Sequence, residues 1–300
     1  MLFRSELARW LASKGHEVRV VTAPPYYPQW QVSEGYSAWR FRTEQVDGVT
    51  VVRCPLYVPR KPTALKRLLH LASFSASSCL AVLGQLRWKP DLVILVVPTL
   101  FCAPQALLLA RLCGAKSVLH IQDYEVDAMF GLGLGGSPLL RRLAWGVERG
   151  LLRRFDRVST ISSGMLDKAA GKGVEAQRLL FFPNWSETER FLDVPRNGRL
   201  LERLGVPAGK RVLLYSGNIG EKQGLELILD AAQAHAHRPE LVFLIVGQGA
   251  GKARLQQRVE REGLHNVVFA PLQAYEDLPA LLASADVHLV IQKRGAADSV

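Results

Sequence analysis

The sequence predicts an α/β protein built from two doubly wound parallel sheets, and three observations predict it. Short apolar runs alternate with helical patterns along the whole chain, and several are unbroken Val/Ile/Leu, as strands covered on both faces must be. Two of these runs, ending Tyr215-Ser-Gly-Asn218 and Ile245-Val-Gly-Gln-Gly249, pass through a glycine turn straight into a helix. In open α/β sheets that edge faces a ligand. Finally, a polar stretch carrying Pro183, Asn184, Pro195, Asn197, Gly198 and Pro207 divides 300 residues into halves of ordinary domain size. The expected domains are residues 1–190 and residues 191–300.

Taken in order, the chain opens on an amphipathic helix over Glu6–Ser13 that feeds a strand at Glu17–Thr22, followed by a strand at Val49–Cys54. Thr63–Arg87 reads as a long apolar helix. Its apolar run Leu68–Leu86 is interrupted by Ser73, Ser75, Ser77 and Ser78, with His70 and Gln85, so it falls short of the about 20 apolar residues of a membrane span. Next come the strand Asp91–Val97, the helix Pro104–Cys113 and the strand Ser117–Ile121. The helix Pro138–Phe155 interleaves Arg141, Arg142, Arg149, Arg153 and Arg154 with Leu140, Leu143, Val147 and Leu151. That pattern is one packed face and one solvated face. With Lys61, Lys66, Arg67, Arg87 and Lys89 it also fits docking on an anionic leaflet.

Strands at Arg157–Ile161 and Leu179–Phe182 complete the first half, with Ser162 placed either to cap a helix or to meet a ligand. The second half offers strands at Arg211–Ser216, Leu241–Val246, Val267–Phe269 and Val287–Ile291. Its helices are Leu225–His235, Lys252–Glu262 and Leu278–Ser284, with a short one near Leu200–Leu204. Both ends look cut: a doubly wound unit begins with a strand before its first helix and closes with a helix after its last strand.

Composition narrows the partners. A hydrophobic content of 48% supports sizeable cores and excludes disorder. A net charge of +11 and a pI near 9.7 call for an anionic partner. Zinc-finger spacing, RNP patterns and dense basic tails are absent, which argues against nucleic acid. Cys54, Cys79, Cys102 and Cys113 form no C-x-x-C pair and read as reduced, buried thiols. The charged start Met1–Glu6 does not read as a signal peptide.

Three motifs carry chemistry. Lys222 stands between Gly220 and Gly224 at a helix start, electrostatically the wrong place for a cation unless an anion sits nearby. Gly217 and Gly220 would let the backbone approach phosphates closely, although the pattern is not a Walker A loop. Gly247 and Gly249 occupy the parallel turn, where glycine also serves purely structural needs. His120, Asp123 and Asp127 lie where the strand Ser117–Ile121 ends. A histidine beside carboxylates there suits hydrogen bonding to a sugar, while Asp123 also suits a capping role.

Together, S-E-L-A-R-W-L-A-S-K-G-H-E-V (Ser5–Val18), V-V-T-A-P-P-Y-Y-P (Val20–Pro28), L-H-I-Q-D (Leu119–Asp123), F-P-N-W (Phe182–Trp185), Y-S-G-N-I-G-E-K-Q-G-L-E (Tyr215–Glu226), I-V-G-Q-G (Ile245–Gly249) and V-V-F-A-P-L (Val267–Leu272) resemble family 4 glycosyltransferases of the GT-B fold. The branch they resemble is the one found in colanic-acid and O-antigen gene clusters. The resemblance implies two Rossmann-like domains facing across a cleft, an N-terminal one on the acceptor side and a C-terminal one that binds nucleotide sugar. It implies retaining transfer from a nucleoside diphosphate sugar to a hydroxyl of a lipid-linked glycan, without a metal or other cofactor. The setting would be cytoplasmic, peripheral on the inner face of the plasma membrane. Carried over, Gly217, Asn218 and Lys222 hold the diphosphate, and Gly247, Gly249, Phe269, Pro271 and Leu272 hold the nucleotide. His120 contacts the donor sugar, with Asp123 beside it. The family's first strand, with its glycine-rich turn, should precede Met1. Its two-glutamate motif should follow the strand Val287–Ile291, yet no glutamate occurs after Glu276. Asn218 stands where many relatives carry arginine. Residues 1–300 alone are therefore expected to be poorly soluble and without transfer activity. A catalytically silent nucleotide-sugar-binding subunit remains the alternative, and a sugar-nucleotide epimerase would need carboxylates that the chain does not display.

Overall fold

A computed structural model describes the chain apart from Met1, Pro28, Pro62, Pro98, Thr99, Glu125, residues 128–137, Lys222 and residues 294–300. Of residues 2–5, Ala64 and Leu140 it describes the backbone alone. Internal contacts divide it into two units, Met1–Trp185 and Ser186–Asp298.

The first unit begins with helix α1 (Leu2–Ser13) and a three-stranded sheet ordered β1-β3-β2: β1 (Arg19–Thr22), β2 (Arg42–Val46) and β3 (Val49–Arg53). Ala8 of α1 packs on Val49 and Val51 of β3 to form its small core. β2 is absent from the sequence-based expectation, because R-T-E-Q-V is polar and mostly exposed, with no apolar face to announce it. The turn does announce it: Asp47 and Gly48 adopt φ of 50° and 78°, the two positive values that a tight hairpin requires.

Helix α2 (Ala64–Leu83) is capped by Thr63, whose hydroxyl accepts from Lys66 N, and it runs into a 3₁₀ turn at Gly84–Arg87. Contrary to the sequence-based expectation, Leu65–Arg87 is long and apolar enough to cross a membrane by length and composition. Its serines are spent on the unit itself. Ser75 Oγ donates to Phe101 O, Ser77 Oγ donates to Pro55 O, Ser73 Oγ accepts from Tyr57 N, and Ser78 Oγ accepts from Gln105 Nε2.

A four-stranded parallel sheet follows, ordered β4-β5-β6-β7: β4 (Leu92–Val97), β5 (Lys116–Ile121), β6 (Arg157–Thr160) and β7 (Leu179–Phe181). Helix α3 (Ala103–Cys113) joins β4 to β5. Helix α4 (Pro138–Leu152) precedes β6, and helix α5 (Ser163–Gly171) lies between β6 and β7. Leu119, Ile121, Leu152, Phe155, Val158 and Met165 form the core against this sheet. Ser162 Oγ accepts from Met165 N at 3.3 Å and caps α5. Ser162 thus takes the capping role.

An ion network replaces hydrocarbon at one point of this packing. Lys172 Nζ lies 3.0 Å from Asp127 Oδ1 and 2.5 Å from Glu148 Oε2, and Trp145 Nε1 donates to Asp127. Glu148 and Lys172 are buried. Burial pushes the Glu148 carboxyl upward, and Lys172 opposes that shift. Asp127 is thereby a structural anion: it ties the chain after β5 to α4 and to the end of α5.

The second unit repeats the plan with helix α6 (Gly198–Arg203), β8 (Arg211–Asn218), α7 (Glu226–Ala234), β9 (Leu241–Gln248), α8 (Lys252–Glu262), β10 (Val267–Ala270), α9 (Leu278–Ala283) and β11 (Val287–His288). Its sheet is ordered β10-β9-β8-β11 and is parallel throughout. β9 is buried along nearly its whole length, which explains its unbroken apolar run L-V-F-L-I-V.

One device recurs in both units. Asp156, just before β6, accepts from Ser117 N and Ser117 Oγ at 2.8 Å, fastening β6 to β5. Asp286, just before β11, accepts from Val212 N at 2.7 Å and from Arg196, fastening β11 to β8. These backbone bonds, foremost, hold both carboxyls below their ordinary value of 3.8. A lowered folded-state pKa stabilises above the unfolded value, and that stability is lost as pH falls through the folded value. Urea midpoints should therefore drop as pH falls below about 4, and an Asp156→Asn, Asp286→Asn double variant should drop less steeply. Parallel midpoint profiles for the two proteins would remove the aspartates from the acid response.

Candidate functional site

The carboxyl ends of β8, β9 and β10 lie side by side in the second unit, and the site is built along that edge. The β8–β9 ladder runs two residues past the expected strand ends, pairing Gly217 with Gly247 and Asn218 with Gln248. Beyond it, Ile219 N donates to Gln248 O and Gly251 N donates to Ile219 O, both at 2.9 Å. The two turns are therefore interlocked backbone against backbone. A Cβ at Gly247 would overlap the Gly217 carbonyl oxygen, and one at Gly249 would overlap the Ile219 carbonyl. Glycine is required at both places by the fold itself, before any ligand is considered.

Tyr215, on β8, is buried, and its hydroxyl donates to Asn218 O at 2.8 Å, holding the turn from beneath. Burial raises the phenol's pKa. A Cβ at Gly217 would approach that hydroxyl to 3.2 Å. A Cβ at Gly220 would lie 2.9 Å from Gln223 Oε1 and 3.0 Å from Asn218 Nδ2. Gln223 Oε1 is buried there without a hydrogen-bond partner among the described residues. Lys222, the residue singled out from the sequence at this turn, lies outside the described residues. At the β10 end, Leu272 is 62% exposed. Phe269, Pro271 and Gln273 line a groove of about 410 Å³ with Leu200, Arg203 and Leu204. Gly217, Asn218, Gly247, Gly249, Phe269, Pro271 and Leu272 thus share one edge of one sheet, which their separation of more than 50 residues in sequence does not show directly.

His120 and Asp123 belong to the first unit. His120 is 2% exposed. Its Nδ1 lies 2.9 Å from Ser159 Oγ on the neighbouring β6, and its Nε2 lies 2.6 Å from Gln122 Nε2. An amide N–H only donates, so Nε2 is the acceptor and Nδ1 carries the proton toward Ser159. Gln122 also exchanges two bonds of 2.9 Å with Asn184, and Phe182 sets its ring against the imidazole at 5.4 Å. Residues beyond β5 and β7 are thereby bridged across the end of β6. Neither Gln122 nor Asn184 stands out in the sequence as a site residue. Their signal was that each is a polar residue just past the end of an apolar strand.

Helix α4 departs from expectation. Leu139 and Leu143 are 76% and 62% exposed, and Val147 is exposed as well. The face turned inward carries Glu148 and Leu152 instead. Lys172 makes the difference, since a buried carboxylate is tolerable once paired. The exposed row borders a groove of about 550 Å³ flanked by Arg142 and Arg154.

Comparison with known proteins places this geometry among relatives. Residues 3–185 match the glycosyl transferase 4-like domain, and residues 199–294 match glycosyl transferases group 1. The chain is 57% identical to WcaI of Escherichia coli (strain K12), described as a colanic acid biosynthesis glycosyl transferase, over 99% of this chain and 74% of that one. A solved glycosyltransferase of Rickettsia africae superposes with a TM-score of 0.66 at 11% identity, over 96% of this chain and 68% of that one. HepE of Anabaena in complex with UDP-glucose gives 0.56 at 18% identity, over 81% and 60%. This chain therefore spans about three quarters of the E. coli relative and three fifths of the Anabaena protein. The two structures share its fold, the expected α/β class with parallel sheets.

The backbone interlock has a direct test. Gly247→Ala should cost about 1–3 kcal/mol of stability through overpacking, read as a lower urea midpoint in the absence of any ligand. A variant as stable as the parent, impaired only in ligand binding, would show that the glycine serves the ligand alone.

Proposed function

Since the chain belongs to the glycosyl transferase 4-like family and carries a glycosyl transferases group 1 domain after it, we propose that it moves a sugar from a nucleoside diphosphate sugar to a hydroxyl of a lipid-linked saccharide, with retention, in the synthesis of a colanic-acid-type surface polysaccharide. The observation that carries this reading is its 57% identity to the E. coli colanic acid relative over 99% of this chain. The glycine edge of the second unit supports the donor half. The UDP-glucose held by the Anabaena relative has the donor's chemistry.

In this reading the bond between the anomeric carbon and the diphosphate oxygen breaks, and its electrons stay on the diphosphate. The acceptor hydroxyl forms the new oxygen–carbon bond on the face that the diphosphate leaves, and its proton passes to the departing diphosphate oxygen. Catalysis then consists largely of stabilising the departing charge. Lys222 and the backbone of Gly217 and Asn218 take that role, with no metal required. Gly247, Gly249, Phe269, Pro271 and Leu272 hold the nucleotide. His120 and Asp123 serve the donor sugar. Because both ring nitrogens are engaged, His120 reaches a sugar hydroxyl only when Gln122 releases it, so Gln122 belongs to the same assignment.

Lys222→Ala should weaken UDP or GDP binding by about 1.5–3 kcal/mol, the worth of a charge-assisted contact. His120→Ala should instead lower turnover much more than nucleotide affinity. Calorimetric affinities unchanged by the first variant, or equal losses of turnover and affinity in the second, would sink the corresponding assignment.

The acceptor half calls for a membrane. The row Leu139, Leu143 and Val147 beside Arg142 and Arg154 pairs apolar and cationic surface, which fits the interfacial zone of an anionic leaflet. We place the chain there as a peripheral protein on the cytoplasmic face. Flotation with vesicles containing anionic lipid should be strong at low salt and fall as salt rises. Leu143→Asp should abolish it while leaving the melting temperature in place. Binding indifferent to both salt and the substitution would exclude this face.

A further inference from the structure

We propose that Lys252 is a second cation for the donor diphosphate, an assignment that rests on the donor reading above. A departing nucleoside diphosphate carries more than one negative charge, and a single lysine neutralises only one of them. The described cations around the β8 turn are mostly committed elsewhere. Arg254 pairs with Glu221 and Glu226, Arg258 pairs with Asp230 and Glu262, and Lys293 approaches Glu221 at 3.6 Å. Lys252 has no carboxylate partner among the described residues. Lys252 is half-buried and its ammonium folds back to within 3.5 Å of Gly247 O, and Gly247 is the ladder partner of Gly217. Lys252 therefore presents its charge at the β9 turn, one strand away from the β8 turn assigned to the diphosphate and 30 residues from Lys222 in sequence.

The charge is also costly where it stands. Lys252 is the first residue of α8, whose N-cap Gly251 makes no side-chain bond and whose first turn holds no acidic residue. A cation at the positive end of a helix dipole works against the helix. A residue kept there for folding alone would be acidic or neutral. An anion lying between Lys252 and the β8 turn turns this cost into attraction, and bound diphosphate supplies that anion.

This separates stability from binding in opposite directions. Lys252→Glu should keep or raise the melting temperature of the unliganded chain, because an acidic residue suits the first turn of α8. The same variant should weaken binding of UDP or GDP, whichever the parent chain binds, by well over tenfold. Lys252→Met should weaken it about tenfold, and Lys252→Arg should retain most of the affinity. Calorimetry on the full chain with UDP and with GDP, beside thermal melts, reads all four values. Unchanged affinity in Lys252→Met overturns the proposal, and so does a lowered melting temperature in both neutral and acidic variants, which would mark Lys252 as structural. A parent chain that binds neither nucleotide overturns the donor reading itself, and with it this assignment.

Discussion

The second unit depends on the close approach of two peptide backbones. The β8–β9 ladder runs on through the pair Gly217–Gly247 to Asn218–Gln248. There is no room for a side chain on the β9 side. Because the ladder continues, both turns end at the same height, and Ile219 can tie into the start of α8 through Gly251. Position and orientation of everything beyond follow: the Asn218 carbonyl pinned by Tyr215, the turn through Gly220, and the first residues of α8.

The first unit solves a different problem. Its sheet must present polar groups at the end of β5 while keeping a dry core beneath them. It does so by closing each polar group onto another. His120 is satisfied by Ser159 and Gln122, and Gln122 by Asn184. Glu148, Lys172 and Asp127 close a second circuit lower down. Such networks are stable only when complete, because removal of one member leaves a buried charge or donor exposed to the full desolvation penalty. The ionic circuit frees α4 from having to bury its apolar row, and that row is left at the surface with arginines at its flanks.

Asp156 and Asp286 show how similar constraints produce the same answer twice. Each stands one residue before a parallel strand and accepts the backbone N–H of the neighbouring strand. Where a strand enters a sheet, the established neighbour is left with an unpaired N–H beside the entry point, and an aspartate on the incoming chain supplies the acceptor that the ladder lacks.

Much of this was legible in the sequence, because it depends on local chemistry. Strand–helix alternation and the two glycine turns are written in spacing and residue type. Those features act over a few residues, and they led to the fold class and to the family. The rest needed distant partners. R-T-E-Q-V became β2 only because β3 offers a ladder. Glu148 turned inward only because Lys172, 24 residues later, meets it. The His120 tautomer was settled by Ser159 and Gln122. Gly247 and Gly249 proved to be demanded by the carbonyls of Gly217 and Ile219, contacts made across 30 residues of chain. Periodicity says which residues share a face. Only the assembled sheet decides what that face meets, since desolvation and hydrogen-bond satisfaction depend on groups brought together by folding.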